Sequence, residues 1–211
     1  MPETAGPIGA ALGLAVASGL SLYGAVFVSG LAIRLGWVHL APDWAALSVL
    51  ADPVVLGVSG VLLAVEFLAD KIPVVDSLWD AVHTVIRPVG GAILASRALG
   101  DLSPVAEVLA LLLLGGATLA THAAKATTRL AVNTSPEPVS NVLVSLTENG
   151  LVVAAVWMAL THPLVALGVG VVAVTVSVML TAWLARRAIG ALRRMGRGRA
   201  TDPPRDAPGA A

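Results

Sequence analysis

Four polar residues in one stretch of the chain are spaced as they would be on one face of a helix. Asp76, Asp80, His83 and Arg87 are separated by four, three and four positions. Because an α-helix repeats every 3.6 residues, this spacing places all four side chains along one stripe of about three turns. Two carboxylates, an imidazole and a guanidinium can bind an ion, hold a polar solute or pair with one another. The stripe therefore predicts a binding site or an internal network of charges.

Three further segments carry polar residues at the same helical spacing. One segment ends with two acidic residues and a lysine, another ends with a histidine and two basic residues, and a third begins with acidic and amide residues. Charges are costly inside a bilayer, so these groups should face one another or water. We predict one binding or charge network made of Glu66, Asp70, Lys71, Asp76, Asp80, His83, Arg87, His122, Lys125, Arg129, Glu137, Asn141 and Glu148.

A metal site is an alternative use of the same side chains. The ligands would come from Asp76, Asp80, His83, Glu66 and Glu148. An oxygen-rich set of this kind favours Mg²⁺ or Mn²⁺ over softer ions. Arg87, one turn from His83, would repel a cation, so metal binding is left open and no cofactor is predicted.

A simpler interpretation is that some charges lie at helix ends, in water or among lipid headgroups. Asp70, Lys71 and Asp76 surround Pro73 and could form an ordinary polar turn. The same interpretation suits four isolated residues at predicted segment ends, namely Arg34, His39, Arg97 and His162.

The rest of the chain is too apolar for an ordinary soluble domain. Its 211 residues are 57% hydrophobic and 12% charged, whereas soluble domains carry about 25% charged residues. Residues 7–33 and 163–185 contain no charge, and each is long enough for the helix of about 20 residues that crosses a bilayer. A chain of this size cannot bury both helices on all sides. We predict an all-α, polytopic integral membrane protein whose partner is the lipid bilayer and which binds no nucleic acid.

Turn and cap residues divide the chain into six segments that span or re-enter the membrane. Pro53 should begin the second segment with Asp52 as its cap, and Pro88 should kink or break the third. The second and third segments could instead form one re-entrant hairpin. The segments are predicted over residues 7–35, 53–69, 74–99, 104–132, 138–160 and 163–192.

The predicted domain organisation is one helical membrane domain over residues 1–195 and a disordered basic, Pro-rich tail over residues 196–211. A weak similarity between residues 24–52 and 116–144 suggests two halves, 1–100 and 101–195. With three helices in each half, the repeats would be inverted, as in many transporters.

Arginine placement predicts the orientation in the membrane. Seven of the eleven arginines follow Ala185, and an excess of Lys and Arg stays on the cytoplasmic side. We therefore expect a cytoplasmic C-terminus. The N-terminal segment lacks the basic start of a signal peptide, so we expect it to be retained.

A long string of residues resembles a bacterial membrane family. Residues 66–73 read EFLADKIP, and the patterns D-S-x-W-D and H-T-x-x-R-P follow from Asp76 and His83. The stretch G-L-A-x-R ending at Arg34 and the pair His122-x-x-Lys125 are also similar. The family is named only as domain of unknown function 4126, and the resemblance covers residues 15–185. The resemblance implies a multi-spanning protein of a bacterial inner membrane and no particular activity.

The leading functional hypothesis is a small transporter or channel for an ion or small polar solute, in which His83 and His122 relay protons. One alternative is an enzyme or flippase that handles lipid headgroups, with Arg87 or Lys125 holding the anion. Another is a structural or assembly protein whose charges only fix helix packing. No known catalytic motif is present, so an enzyme is not favoured, and homo-oligomerisation is left open.

Overall fold

The computed structural model describes residues 2–133 and 138–200, and every regular element in these residues is a helix. This confirms the predicted all-α class. Two short 3-10 helices cover Pro42–Ala51 and Arg97–Leu99. The α-helices are α1 (Pro2–Leu20), α2 (Leu22–Arg34), α3 (Pro53–Ala69), α4 (Pro73–Ser96), α5 (Pro104–Asn133), α6 (Pro138–Thr161) and α7 (Pro163–Ala200).

The bundle keeps charged side chains inside and large apolar side chains outside. On α4, Arg87 is 0% exposed while Val85 is 71% exposed. On α5, Arg129 is 1% exposed while Leu113 is 74% exposed. Water would penalise such an apolar surface, whereas lipid solvates it. The arrangement is that of a membrane protein.

Three helices in the described part of the chain are long and apolar enough to cross a membrane. They are α5, residues Asn141–Thr161 of α6 and residues Pro163–Gly190 of α7. Trp44–Ala51 and α3 together pass the same test but are bent by 71°, so they form a broken span or a re-entrant loop. The structure thus supports three or four crossings. Six crossings and an inverted repeat stay predictions.

The first predicted segment is two helices, so its prediction as one continuous helix was wrong. Ser21 lies between α1 and α2 with extended backbone angles, φ −152° and ψ 110°. Its Oγ accepts a 2.9 Å hydrogen bond from the Gly24 N–H. In an unbroken helix that N–H would donate to the Leu20 carbonyl. A short hydroxyl side chain therefore caps α2 and frees the carbonyl at the end of α1.

Helix α1 lies inside the bundle, where it packs against α4, α5, α6 and α7. Small residues make this packing close. A Cβ atom added at Gly13 would lie 2.8 Å from Ala159 Cβ, and one added at Gly19 would lie 2.6 Å from the Thr118 carbonyl oxygen. Ten of the 19 residues of α1 are Gly, Ala or Ser, and these small residues let the central helix approach four neighbours.

The other predicted boundaries hold with two exceptions. Asp52 caps α3 by accepting a 2.8 Å hydrogen bond from the Val54 N–H, as predicted. α4 continues through Pro88, so the predicted break is absent. Proline removes one backbone hydrogen bond, and close packing of Gly91 against Thr118 of α5 holds the helix beyond it. α7 is helical to Ala200. Residues 201–211 of the predicted tail lie outside the described residues.

The two tryptophans in the connection between α2 and α3 differ in exposure. Trp37 is 60% exposed, which suits a residue at a membrane interface, where tryptophans are common. Trp44 is 8% exposed and belongs to the same buried apolar cluster as Leu47, so it contacts other side chains instead. The 3-10 helix turns Trp44 inward.

Candidate functional site

The predicted charged residues come together inside the bundle. They lie at the end of α3 and in the turn after it, in the first two thirds of α4, in the second half of α5 and in the first half of α6. All four members of the α4 stripe are buried, as their spacing predicted. The stripe divides between two groups of ion pairs, one around Arg87 and one around Arg129.

The Arg87 group joins α3, α4 and α5. Its Nη2 donates to Glu66 Oε1 at 2.6 Å, and its Nη1 donates to Asp80 Oδ1 at 3.1 Å. Nη1 also donates to His122 Nδ1 at 2.7 Å. The second oxygen of Glu66 accepts a 2.8 Å hydrogen bond from the Ser21 hydroxyl. The Ser21 break is therefore tied directly to the charge network.

Hydrogen-bond geometry fixes the tautomer of His122. A guanidinium has donors only, so the Nδ1 atom that faces Arg87 carries the lone pair. The ring is therefore neutral with its hydrogen on Nε2, which lies 3.2 Å from both the Asp80 carbonyl oxygen and Thr84 Oγ1. His122 serves as a neutral link between charged groups.

His83 has a separate set of neighbours. Its Nδ1 lies 2.7 Å from the Trp79 carbonyl oxygen, and its Nε2 lies 3.1 Å from Tyr23 Oη. The ring stacks on Trp79 with 4.3 Å between centroids. In the described residues no hydrogen bond joins His83 to His122, so the predicted proton relay has no direct contact between the two rings.

The Arg129 group joins α5 to α4, α6 and the turn before α4. Its Nη2 lies 3.2 Å from Asp76 Oδ1, and its Nη1 donates to Asn141 Oδ1 at 2.7 Å. Nη2 also donates to the Asp70 carbonyl oxygen at 2.9 Å. Asn133 Nδ2 donates to the other Asp76 oxygen at 2.7 Å. Every carboxylate oxygen of the fully buried Asp76 thus has a partner.

Lys71 lies in the turn between α3 and α4, at the edge of the network. Its Nζ donates to the Ser145 hydroxyl and lies 3.8 Å from the centre of the Phe67 ring. Ser145 donates in turn to Asp70 Oδ2 at 3.3 Å. Burial lowers the pKa of Lys71, although the nearby Asp70 carboxylate opposes this.

Lys125 and Glu148 connect the two groups. Lys125 Nζ donates to the Leu20 carbonyl oxygen at 2.9 Å and to Glu66 Oε1 at 3.4 Å. Glu148 Oε2 lies 3.7 Å from both Lys125 Nζ and Arg129 Nε. Those distances are too long for hydrogen bonds, and Glu148 Oε2 is buried with no hydrogen-bond partner in the described part of the chain. Of the two carboxylates near Lys125, Glu148 therefore makes the weaker contact.

A cavity of about 340 Å³ opens beside Lys125 and Glu148, between α5, α6 and α7. Its polar wall also includes Thr121, Thr128, Thr147 and Ser177. A larger cleft of about 980 Å³ lies at the other end of the bundle and contacts none of the predicted site residues. The smaller cavity is therefore the one that matters for the network.

The metal ligand set considered from the sequence does not form. Among the described residues, no group of three His, Cys, Asp or Glu side chains is placed to hold a metal ion. Asp76 pairs with Arg129, Asp80 pairs with Arg87, and His83 bonds Tyr23. Glu137, a further predicted member of the network, lies outside the described residues.

Sequence reasoning missed several polar partners. Ser21 lies in a long uncharged stretch, and its cap role was hidden because the surrounding residues favour a continuous helix. Asn133 falls in the predicted connection, one position beyond the predicted end of its segment. Ser21 belongs to no charged stripe, which is the pattern that located the others, whereas Asn133 continues the spacing of His122, Lys125 and Arg129 and could have been found by it.

A protein-family model described as domain of unknown function (DUF4126) matches residues 8–187 of the chain. The matched range includes the α4 stripe, both arginine groups and the cavity between α5, α6 and α7. No curated protein and no solved structure matches the chain.

Proposed function

This chain belongs to the family of the domain of unknown function DUF4126, and we propose that it transports a small polar or ionic solute across a membrane. One observation carries the proposal: the Glu148 carboxylate lines a cavity inside the bundle and has no hydrogen-bond partner for its Oε2 in the described residues. A buried carboxylate without such a partner is unfavourable. A solute that supplies a donor would remove that penalty.

The positions of Lys125 and Glu148 along their helices support this proposal. Glu148 lies within the apolar span Asn141–Thr161, about 10 Å from its start at a rise of 1.5 Å per residue. Lys125 lies within the apolar span Pro104–Asn133, about 12 Å from its end. Ionisable residues within membrane-spanning helices are typical of solute pathways.

The break between α1 and α2 also supports the proposal. Leu20 lines the cavity, and its carbonyl is free of the helix because Ser21 caps Gly24. Interrupted helices expose backbone groups at the binding sites of many transporters. Here the exposed carbonyl is bonded by Lys125.

A structural role is the second candidate, and the pairing of the two arginines favours it. Arg87 and Arg129 are at most 1% exposed and each contacts at least two acidic residues. Such closed pairs can fix helix packing without any solute. The same closure argues against lipid-headgroup binding by Arg87, since its guanidinium is not available to an anion.

The transport proposal is tested by reconstituting the purified protein in liposomes and measuring uptake of small cations, anions and neutral polar solutes. Glu148→Gln should abolish uptake of the solute that the parent carries. Glu107→Gln is the matched control, because Glu107 is exposed near the start of α5. Uptake by Glu148→Gln at the parental rate, or no uptake of any solute by the parent, would refute the proposal.

We also propose that the turn between α3 and α4 faces the cytoplasm of a bacterial cell, on the side of the basic end of α7. The chain has no cysteine, so single cysteines can be placed at Ile72 in this turn and at Ser103 at the opposite end. A membrane-impermeant maleimide applied to intact spheroplasts should label Ser103→Cys only. Labelling of Ile72→Cys alone would reverse the orientation.

A further inference from the structure

Three side chains in the wall of the cavity offer hydrogen-bond acceptors, namely Thr121, Thr147 and Glu148. Thr121 and Thr147 each donate their hydroxyl hydrogen at 2.9 Å to a backbone carbonyl of their own helix. Their oxygens therefore have only lone pairs to offer a ligand. The Glu148 carboxylate is also an acceptor. The wall suits a ligand that donates hydrogen bonds or carries positive charge.

The ammonium group of Lys125 shows what this wall binds. It lies 2.9 Å from the Leu20 carbonyl oxygen, 3.4 Å from Glu66 Oε1 and 3.7 Å from Glu148 Oε2. These oxygens come from three different helices, α1, α3 and α6. Lys125 thus acts as a tethered cation inside a cage of oxygens, and its contact with Glu148 is the longest.

The charges of the described network are not balanced. It has one more carboxylate than it has cationic side chains, and an uncompensated buried charge is costly. One monovalent cation would bring these residues to neutrality. The carboxylates are Glu66, Asp70, Asp76, Asp80 and Glu148, and the cationic side chains are Lys71, Arg87, Lys125 and Arg129.

We infer that the cavity binds a small monovalent cation of the ammonium type, which takes Glu148 as its partner while Lys125 keeps Leu20 and Glu66. This inference rests on the proposed transport function and names its substrate class. The exchange is inexpensive because the cation replaces only the two long contacts of Glu148 Oε2, each 3.7 Å, with Lys125 and Arg129. A cavity of about 340 Å³ admits ammonium, methylammonium or an alkali-metal ion.

The test is a binding experiment on the detergent-purified protein. Thermal unfolding is followed during titration with ammonium chloride and methylammonium chloride, because a ligand that binds only the folded state raises Tm with concentration. N-methyl-D-glucamine chloride controls for ionic strength. Titrations with sodium phosphate and sodium acetate test whether the cavity binds an anion instead, and sodium chloride is the reference for these two salts.

Three variants sharpen the result. Glu148→Gln should weaken ammonium binding at least about tenfold, since a charged hydrogen-bond partner becomes neutral. Glu107→Gln should bind as the parent does. Lys125→Ala removes the tethered cation, so ammonium should bind this variant more tightly and restore part of its stability. If Lys125→Ala cannot be purified, the parent and Glu148→Gln still decide.

Equal ammonium binding by the parent and Glu148→Gln would overturn the inference, and so would a Glu148-dependent Tm increase caused only by phosphate or acetate. Flux measurements separate this inference from the transport proposal. Cation binding at Glu148 without flux of any solute would refute transport and keep the cation site. Glu148-dependent flux of an anion or neutral solute would refute the cation class and keep transport.

Discussion

The ion pair between Arg129 and Asp76 offers a direct test of the buried network. Asp76 is 0% exposed and Arg129 is 1% exposed, with 3.2 Å between Arg129 Nη2 and Asp76 Oδ1. Breaking a buried pair by removing one partner costs about 3–5 kcal/mol, because the other charge stays buried. We expect Arg129→Met and Asp76→Asn each to lower the free energy of unfolding by about that amount.

The double variant Asp76→Asn/Arg129→Met separates pairing from simple loss of packing. In the double variant neither member of the pair leaves the other charged and alone, while the loss of Arg129 to Asp70 and Glu148 is the same as in Arg129→Met. The double variant should therefore be more stable than the sum of the single effects predicts. We expect a coupling energy above about 1 kcal/mol, the range found for directly contacting charges. The measurement is reversible unfolding in mixed detergent micelles, followed by circular dichroism and tryptophan fluorescence.

Arg97→Met is the matched control for this cycle. Arg97 is an exposed arginine at the other end of α4, so its replacement should change the free energy of unfolding by no more than about 0.5 kcal/mol. Additive single effects, or a loss from Arg97→Met as large as that from Arg129→Met, would show that the pairing described here does not stabilise the bundle.

Three more predictions follow from single contacts. Ser21→Ala should lower the free energy of unfolding by about 1–3 kcal/mol, because it removes a helix cap and a hydrogen bond to a buried carboxylate. Ser18→Ala is the control in the same mixed-micelle unfolding assay. It should lower the free energy of unfolding by less, because the Ser18 hydroxyl bonds only its own helix. Nitrogen-15 NMR of labelled protein at pH 7 should show His122 as the neutral tautomer with hydrogen on Nε2, and a hydrogen on Nδ1 would contradict the Arg87 contact. Gly19→Ala should lower Tm because of the close α5 backbone, whereas Gly116→Ala, which meets open space, should leave Tm unchanged or higher; equal effects would contradict the packing described for α1.

The side of α4 that faces inward was predictable from sequence because helical spacing alone decides it. Asp76, Asp80, His83 and Arg87 share a face whatever surrounds the helix. Their partners were not predictable, because these depend on how α5 lies against α4. Asp76 thus meets Arg129, and only Asp80 stays with Arg87.

Helix limits were predictable where proline and a capping residue coincide, as at Asp52 before α3. The break at Ser21 was not predictable from hydropathy, because the residues on both sides are apolar and uncharged. Its cause is one hydroxyl that competes with the backbone for the Gly24 N–H. The predicted number of six crossings stays unconfirmed for the same reason, since length and apolarity do not reveal where a helix turns.

The junction of α1 and α2 also sets an order of assembly during synthesis. The Ser21 hydroxyl bonds Glu66, which is 45 positions later, and the Leu20 carbonyl bonds Lys125, which is 105 positions later. When the first two helices leave the ribosome, neither long-range partner has yet emerged. The junction therefore lacks these two hydrogen bonds at first, and α5 supplies the second of them after more than half of the chain has been made.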